Sequence, residues 1–276
     1  MRIAACYGRK GGVGKTATAV NLAALSAAGG ARTLLIDLDP QAAATFTFRI
    51  EPKLPGGYAR LLRGGTAPAK FVRASDFARL DLLPADSSCR HLDTLLPTVE
   101  EGEAPLARLL EGFAPRYDRV FLDCPPTASR LADHLFRVVD DLIVPTVPTT
   151  LSLRTVAQIM MQLKSIDPPP AVHPFFALVD LRKALHRRVV SWERETGLGF
   201  LATTIPYSSV LEQMSSRRAP VFDYAPGSGP ARSYRELWAE LEARIEQSRA
   251  GPPWRKKTRR AVEEAVRHPT FRTGRG

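Results

Sequence analysis

Short apolar runs alternate along the chain with longer segments of helical character. Ile3-Ala4-Ala5-Cys6-Tyr7 reads as a buried strand, and Ala17 to Ala28, alanine-rich and without a breaker, reads as a helix packed closely on a sheet. Gly29-Gly30 ends that helix, and Arg32 to Asp37 forms the next strand, closing on Asp37-Leu38-Asp39-Pro40-Gln41. Further strands are predicted over Leu80 to Ala85, Tyr117 to Asp123, Asp141 to Val147, Phe175 to Asp180 and Leu201 to Pro206. Helices are predicted near Tyr58–Arg63, 88–96 and 104–113, and over Ser152 to Ile166. That last segment sets Leu153, Val156, Ile159, Met160 and Leu163 on one face. A closing helix runs from about Ala231 to Arg249. The pattern predicts an α/β fold with a mostly parallel, twisted sheet and helices on both faces. Residues 50–70, rich in Pro, Gly and Arg, read as irregular surface with no assigned chemistry.

The chemistry concentrates where the first strand meets the first helix. Gly8-Arg9-Lys10-Gly11-Gly12-Val13-Gly14-Lys15-Thr16 is a glycine loop opening a helix, which makes an anion site from backbone N–H groups and the helix dipole. Gly11, Gly12 and Gly14 let the backbone approach phosphate oxygens. Lys15 can reach the β/γ-phosphates, and the Thr16 hydroxyl can ligate Mg²⁺. The loop departs from the usual P-loop pattern, because Arg9 stands where a glycine belongs, five residues before Gly14. The bland reading, a glycine-rich turn with two solvated lysines, fits poorly with the strand–loop–helix context. Asp39, at the carboxyl end of the second strand, faces the loop and is read as the group that orients an attacking water or meets Mg²⁺. The competing reading has Asp37 and Asp39 only capping a turn. Asp123 ends a buried strand as a Walker B aspartate does and would hold Mg²⁺ through its water shell, while the neighbouring Cys124 is read as packing.

The run Lys10 to Thr16 resembles the deviant Walker A motif of the ParA/MinD family of P-loop ATPases. Asp39-Pro40-Gln41-Ala42-Ala43-Ala44-Thr45 looks like the switch I of ParA proteins, with Ala42 and Ala43 where the family has Gly-Asn. Asp123-Cys124-Pro125-Pro126 resembles switch II. Leu201 to Pro206 looks like the strand leading to the family's adenine-side loop, with Tyr207-Ser208 in place of Arg-Asn. The resemblance spans residues 1 to about 247. It implies ATP and Mg²⁺ as cofactors, with Lys10, Gly11, Gly12, Val13, Gly14, Lys15, Thr16, Ala17 and Pro206 at the nucleotide. Ala17 lacks a hydroxyl common there. Thr16, Asp39 and Asp123 would serve the metal, and Lys10, Lys15 and Asp39 the hydrolysis. It further implies a homodimer on ATP with Lys10 reaching the partner's site, non-specific DNA binding, and release through a ParB-like or other cargo adaptor. DNA partition or cargo positioning is the implied role.

Charge agrees with an anionic partner: the 276 residues carry a net +11. Beyond residue 248 nine Lys/Arg stand against two Glu, so the basic segment 250–276 is set apart from an ATPase domain over 1–249. That segment reads as a solvated tail, a DNA-contacting arm or, less readily, a membrane-surface helix of the kind a MinD-like switch uses. Arg187, Arg188, Arg217, Arg218, Arg232 and Arg235 are candidates for a DNA face. With the glycine loop starting at residue 8 no helix-turn-helix is expected ahead of it. No apolar run approaches the roughly 18 residues of a membrane span, and the start does not read as a signal peptide. A cytoplasmic, nucleoid-associated protein is expected. Cys6, Cys89 and Cys124 show no CxxC spacing and no companion for a cluster ligand, which argues against a carrier like the nitrogenase iron protein.

Overall fold

The sheet is built on β1 (Arg2–Cys6), with β5 (Arg119–Asp123) on one side and β6 (Asp141–Thr146) on the other. Outward from β5 lie β2 (Thr33–Asp37), β4 (Leu80–Leu83) and the two-residue β3 (Arg73–Ala74). Outward from β6 lies β7 (Ala171–Phe176). The order is β3-β4-β2-β5-β1-β6-β7, parallel except for β3. The computed structural model describes residues 1–97, 104–126 and 129–248; the basic segment 250–276 and the Arg249 end of the expected closing helix lie outside them.

Burial on both faces follows from the strand sequences. Along β2, Leu34 and Ile36 enter one core and Leu35 the other, because successive side chains point to opposite faces. One face is covered by α3 (Gly57–Arg63), α5 (Pro105–Glu111), α6 (Arg130–Val138), α7 (Thr150–Gln162) and α8 (Ala184–Thr196), through Tyr58, Leu109, Phe136, Val156 and Val189. The other is covered by α1 (Lys15–Ala28), α2 (Ala43–Thr47) and α12 (Gly229–Ser248), through Val20, Ala44 and Leu237. Between them come α4 (Leu92–Leu95), α9 (Ser209–Glu212), α10 (Met214–Arg217) and α11 (Val221–Tyr224). At the amino ends of the strands, buried Asp141 accepts hydrogen bonds from Arg2 and His173.

Two expected strands differ. The strand placed at Phe175–Asp180 runs instead over Ala171–Phe176 and stops before Leu178, whose φ of 54° lies in the left-handed region. Its start was hidden by Pro168-Pro169-Pro170 and Pro174, residues that read as loop but are tolerated on an edge strand. Leu201 to Pro206 runs beside β7 without becoming a strand, bonding through Leu201 N–H to Pro174 and Ile205 N–H to Phe176, with a single bridge from Val179 to Pro206. The intervening N–H groups of Ala202 and Thr203 go to the Glu240 carboxylate on α12, so they are lost to the ladder. The helix expected over 88–96 is split into a 3₁₀ turn, Ser87–His91, and α4. β3, α2 and α6 were not anticipated.

Asn21 shows how the carboxyl-terminal helices are fastened to α1. Its amide donates to the Ala17 carbonyl, and its oxygen accepts the Val221 N–H in a fully buried setting. Asn21→Ala leaves that N–H without a partner, and an unsatisfied buried donor costs about 1–3 kcal/mol. Urea unfolding of the variant is expected to show a stability loss of that size; an unchanged midpoint would mean the Val221 N–H finds another acceptor.

Candidate active site

Strand register creates the site. Cys6 on β1 lies level with Asp123 on β5, and Asp123 level with Asp37 on β2, so two carboxylates are forced together at the carboxyl ends of neighbouring strands. In an open α/β sheet that is where ligands bind. The chain leaving β1 turns through the glycine loop, with Gly12 at φ 69° and Gly14 at φ 93°, values that glycine adopts freely. Gly14 caps α1 without a side-chain hydrogen bond, leaving the helix start to the backbone.

Lys15 is buried, 6% exposed, and its Nζ donates to the carbonyl of Lys10 at 3.0 Å, spanning the loop. Burial lowers its pKa, opposed by the nearby Asp123 and Asp39 carboxylates. Lys10 itself is half-buried and forms no ion pair among the described residues. Gly11 and Gly12 are exposed, Val13 is packed inward, and Thr16 and Ala17 are half-buried on the first turn of α1.

The two strand-end aspartates meet opposite fates. Asp37 is saturated: Oδ2 accepts the Thr45 N–H and hydroxyl, and Oδ1 accepts the Asp39 N–H. Burial outweighs these bonds and raises its pKa to about 6. Asp123 is fully buried, and neither carboxylate oxygen has a hydrogen-bond partner. Burial pushes its pKa well up, the Asp37 charge adds to this, and the Thr16 hydroxyl and Lys15 oppose it. An orphaned buried carboxylate facing a hydroxyl and an ammonium fits a hydrated Mg²⁺, which prefers oxygen donors and keeps part of its water shell.

Asp39 is half-buried. Its Oδ1 accepts the Gln41 N–H and its carbonyl accepts the Ala42 N–H, so it shapes the turn, with Oδ2 outside those bonds. Both readings of the sequence thus have a counterpart: Asp37 is a structural anchor, and Asp39 holds the turn with one oxygen only. Ala42, where the resemblance places glycine, sits at φ 53°, a conformation costing a non-glycine residue about 1–2 kcal/mol. Pro206 lies beyond β7 through its bridge to Val179, and the Tyr207 hydroxyl donates to Glu212 at 2.7 Å.

Other residues were invisible as site elements in the sequence. Tyr58 donates its hydroxyl to the Asp37 carbonyl at 2.8 Å, tying α3 to the site, and the Thr45 hydroxyl accepts the Ala85 N–H. Arg9 bonds to Gln162 on α7, whose amide donates to Asp133 on α6. The position that breaks the usual P-loop pattern therefore fastens the loop to two helices. The DNA-face candidates are scattered over three helices. Arg187 is held by the Leu181 and Arg182 carbonyls, Arg232 by Gly227 and Arg235 by Pro226. Arg218 lies over the Phe46 ring at 4.4 Å and bonds to the Phe46 carbonyl, so it fastens α2. Arg188 and Arg217 are exposed.

A glycine loop between β1 and α1, a buried aspartate at the end of β5 and a seven-stranded sheet define a P-loop ATPase. The family model described as an AAA domain matches residues 1–169. The chromosome-partitioning ATPase Soj of Thermus thermophilus is 31% identical over 257 residues, covering 90% of this chain and 98% of the relative. Cobyrinic acid a,c-diamide synthase of Mycobacterium smegmatis, solved with ADP and magnesium, superposes with a TM-score of 0.72 at 27% identity, covering 90% of this chain and 96% of the other. A putative plasmid partition protein of Borrelia burgdorferi bound to AMPPNP shares the fold, with a TM-score of 0.76 at 18% identity over 88% of this chain and 99% of its own. The chain belongs to the ParA family of ATPases.

The raised pKa of Asp123 has a signed consequence. In the folded chain its proton is held more tightly than in the unfolded chain, so its contribution to stability falls as pH rises above the ordinary carboxylate range. Asp123→Asn removes that penalty. Without Mg²⁺ or nucleotide the variant is expected to be more stable than the parent in urea at pH 7, with the advantage vanishing near pH 3. A variant less stable at both pH values would sink this account.

Proposed function

We propose that the chain is an ATP-driven switch: it binds ATP with Mg²⁺, dimerises on ATP, binds DNA without sequence preference, and is released when an adaptor stimulates hydrolysis. The observation that carries the reading is the bare, buried Asp123 carboxylate placed between Thr16 and Lys15 beneath the glycine loop. The cradle from Lys10 to Ala17 would hold the phosphates, with Pro206 on the side of the base. Lys15 would neutralise phosphate charge at short range in a site of low dielectric. Mg²⁺, when bound, supplies further neutralisation of the β/γ-phosphates. Asp39 would position water with its Oδ2 oxygen.

Lys10 lies at the rim with no ion-pair partner among the described residues, which supports a role toward a second copy. Exposed Leu151, Leu181, Leu185 and Tyr207 follow strand ends β6 and β7 on the same edge and give that second copy apolar surface to cover. The reading of this dimer as a DNA switch rests on the family and on the net charge of +11. The adaptor is expected to be ParB-like, and the role to be chromosome or plasmid segregation or cargo positioning. Location in the cytoplasm on the nucleoid would follow from DNA binding. Among the described residues no helix is long and apolar enough to cross a membrane.

Lys15→Ala is expected to abolish ATP binding by calorimetry. Lys10→Ala should keep ATP binding but lose ATP-dependent dimerisation in sedimentation. Asp39→Ala should retain the ATP dimer and lower turnover by about 10²-fold or more; normal turnover would remove Asp39 from the chemistry. A gel shift with duplex lacking any sequence motif, run with ATP, ADP and no nucleotide across a salt series, checks the switch itself. Tighter, salt-sensitive binding with ATP is the expected result, and equal binding in all three states would overturn it.

A further inference from the structure

The stretch from Pro52 to Ser75 carries Lys53, Arg60, Arg63, Lys70 and Arg73 and not one carboxylate. All five cations are exposed, and among the described residues none is in an ion pair. Chains of mixed composition usually intersperse the two signs, so 24 residues with a net +5 form an uncompensated strip on α3, the Gly64-Gly65 turn and β3.

The strip is anchored rather than loosely solvated. Tyr58, Leu61, Leu62 and Phe71 are buried beneath it. Arg60 stacks on the Phe71 ring at 5.7 Å, Arg63 is pinned to the Ala59 carbonyl, and Arg73 to those of Lys70 and Val72. Each restraint lowers the entropy lost when a guanidinium meets an anion.

We propose that this strip is a second nucleic-acid face, one that takes the phosphodiester backbone of duplex DNA and does so without nucleotide. An acidic protein partner is the other polyanion that could fit. Protein interfaces, however, take their energy from buried apolar or aromatic anchors, and no large hydrophobic side chain is exposed between residues 52 and 75. Backbone phosphates need no such anchor, only spaced donors. The location also separates the strip from Arg187 and Arg188. β3 and β7 are opposite edges of the sheet, six strand spacings apart, about 29 Å. The strip lies at the first edge, and α8 follows the strand at the second. The proposal goes beyond the ATP-dependent switch, because it concerns binding that persists without ATP.

The test uses the full chain and a fluorescent duplex without sequence motif, with affinity read by anisotropy across a salt series, first without nucleotide and then with ATP and Mg²⁺. The variant is Lys53→Gln, Arg63→Gln, Lys70→Gln and Arg73→Gln together. Arg60 is kept because it packs on Phe71, and thermal unfolding and ATP turnover confirm an intact fold. Each phosphate contact contributes about 0.9 to the slope of log K against log salt. Without nucleotide the variant is expected to lose about 2–4 from that slope, with affinity at low salt falling at least tenfold, while any increment on adding ATP survives. An unchanged slope, or a parent chain that binds no duplex without nucleotide, overturns the strip. Displacement of the duplex from the parent by polyglutamate as readily as by unlabelled DNA of equal charge also overturns the assignment, in favour of an acidic protein. Loss of the ATP increment in the parent would count against the switch and leave the strip's own readout intact.

Discussion

Two carboxylates held side by side at parallel strand ends constrain everything around them. The register of β1, β5 and β2 leaves Asp123 and Asp37 no freedom to separate, and burial makes each charge expensive. Asp37 is compensated internally by three donors from the loop that follows it. Asp123 is not, and its only polar company is the Thr16 hydroxyl and the Lys15 ammonium. A structure optimised for stability alone would satisfy or neutralise it. Keeping it bare is intelligible when an external cation completes the site, which ties stability to function at one residue.

Hydrogen bonds spread outward from these strand ends. The Asp39 turn is held through Asp37, Thr45 passes the connection to Ala85 beyond β4, and Tyr58 extends it to α3. On the other flank Arg9 links the glycine loop through Gln162 to Asp133. Any rearrangement of the Asp39 turn would therefore be felt by the elements on both sides. The left-handed Ala42 sits at the hinge of that turn, so the loop already carries backbone strain.

The same economy explains the arginines. Many are held by backbone carbonyls rather than by acids, as with Arg187, Arg232 and Arg235. Carbonyls restrain the side chain without cancelling its charge, so the surface keeps a strongly positive field while its donors stay ordered. Arg218 departs from this pattern, since its guanidinium is taken up by the Phe46 ring and carbonyl and it works as a fastening for α2.

What could be read without coordinates was whatever local chemistry dictates. The glycine loop, the apolar strands closing on Asp37 and Asp123, and the alanine-rich α1 each carry their reason in neighbouring residues, and the structure places them as expected. Where a reading slipped, a distant residue was responsible: Glu240 draws off the N–H groups that would have made Leu201–Pro206 a strand, and edge position lets β7 keep Pro174. Short elements such as β3 and α2 have too few residues to show a period. The division between Asp37 as anchor and Asp123 as bare carboxylate was beyond the sequence altogether. Both are acidic ends of apolar strands, and only the folded chain decides which one receives Thr45 and which one is left facing Lys15, because hydrogen-bond satisfaction is a property of the neighbours in space.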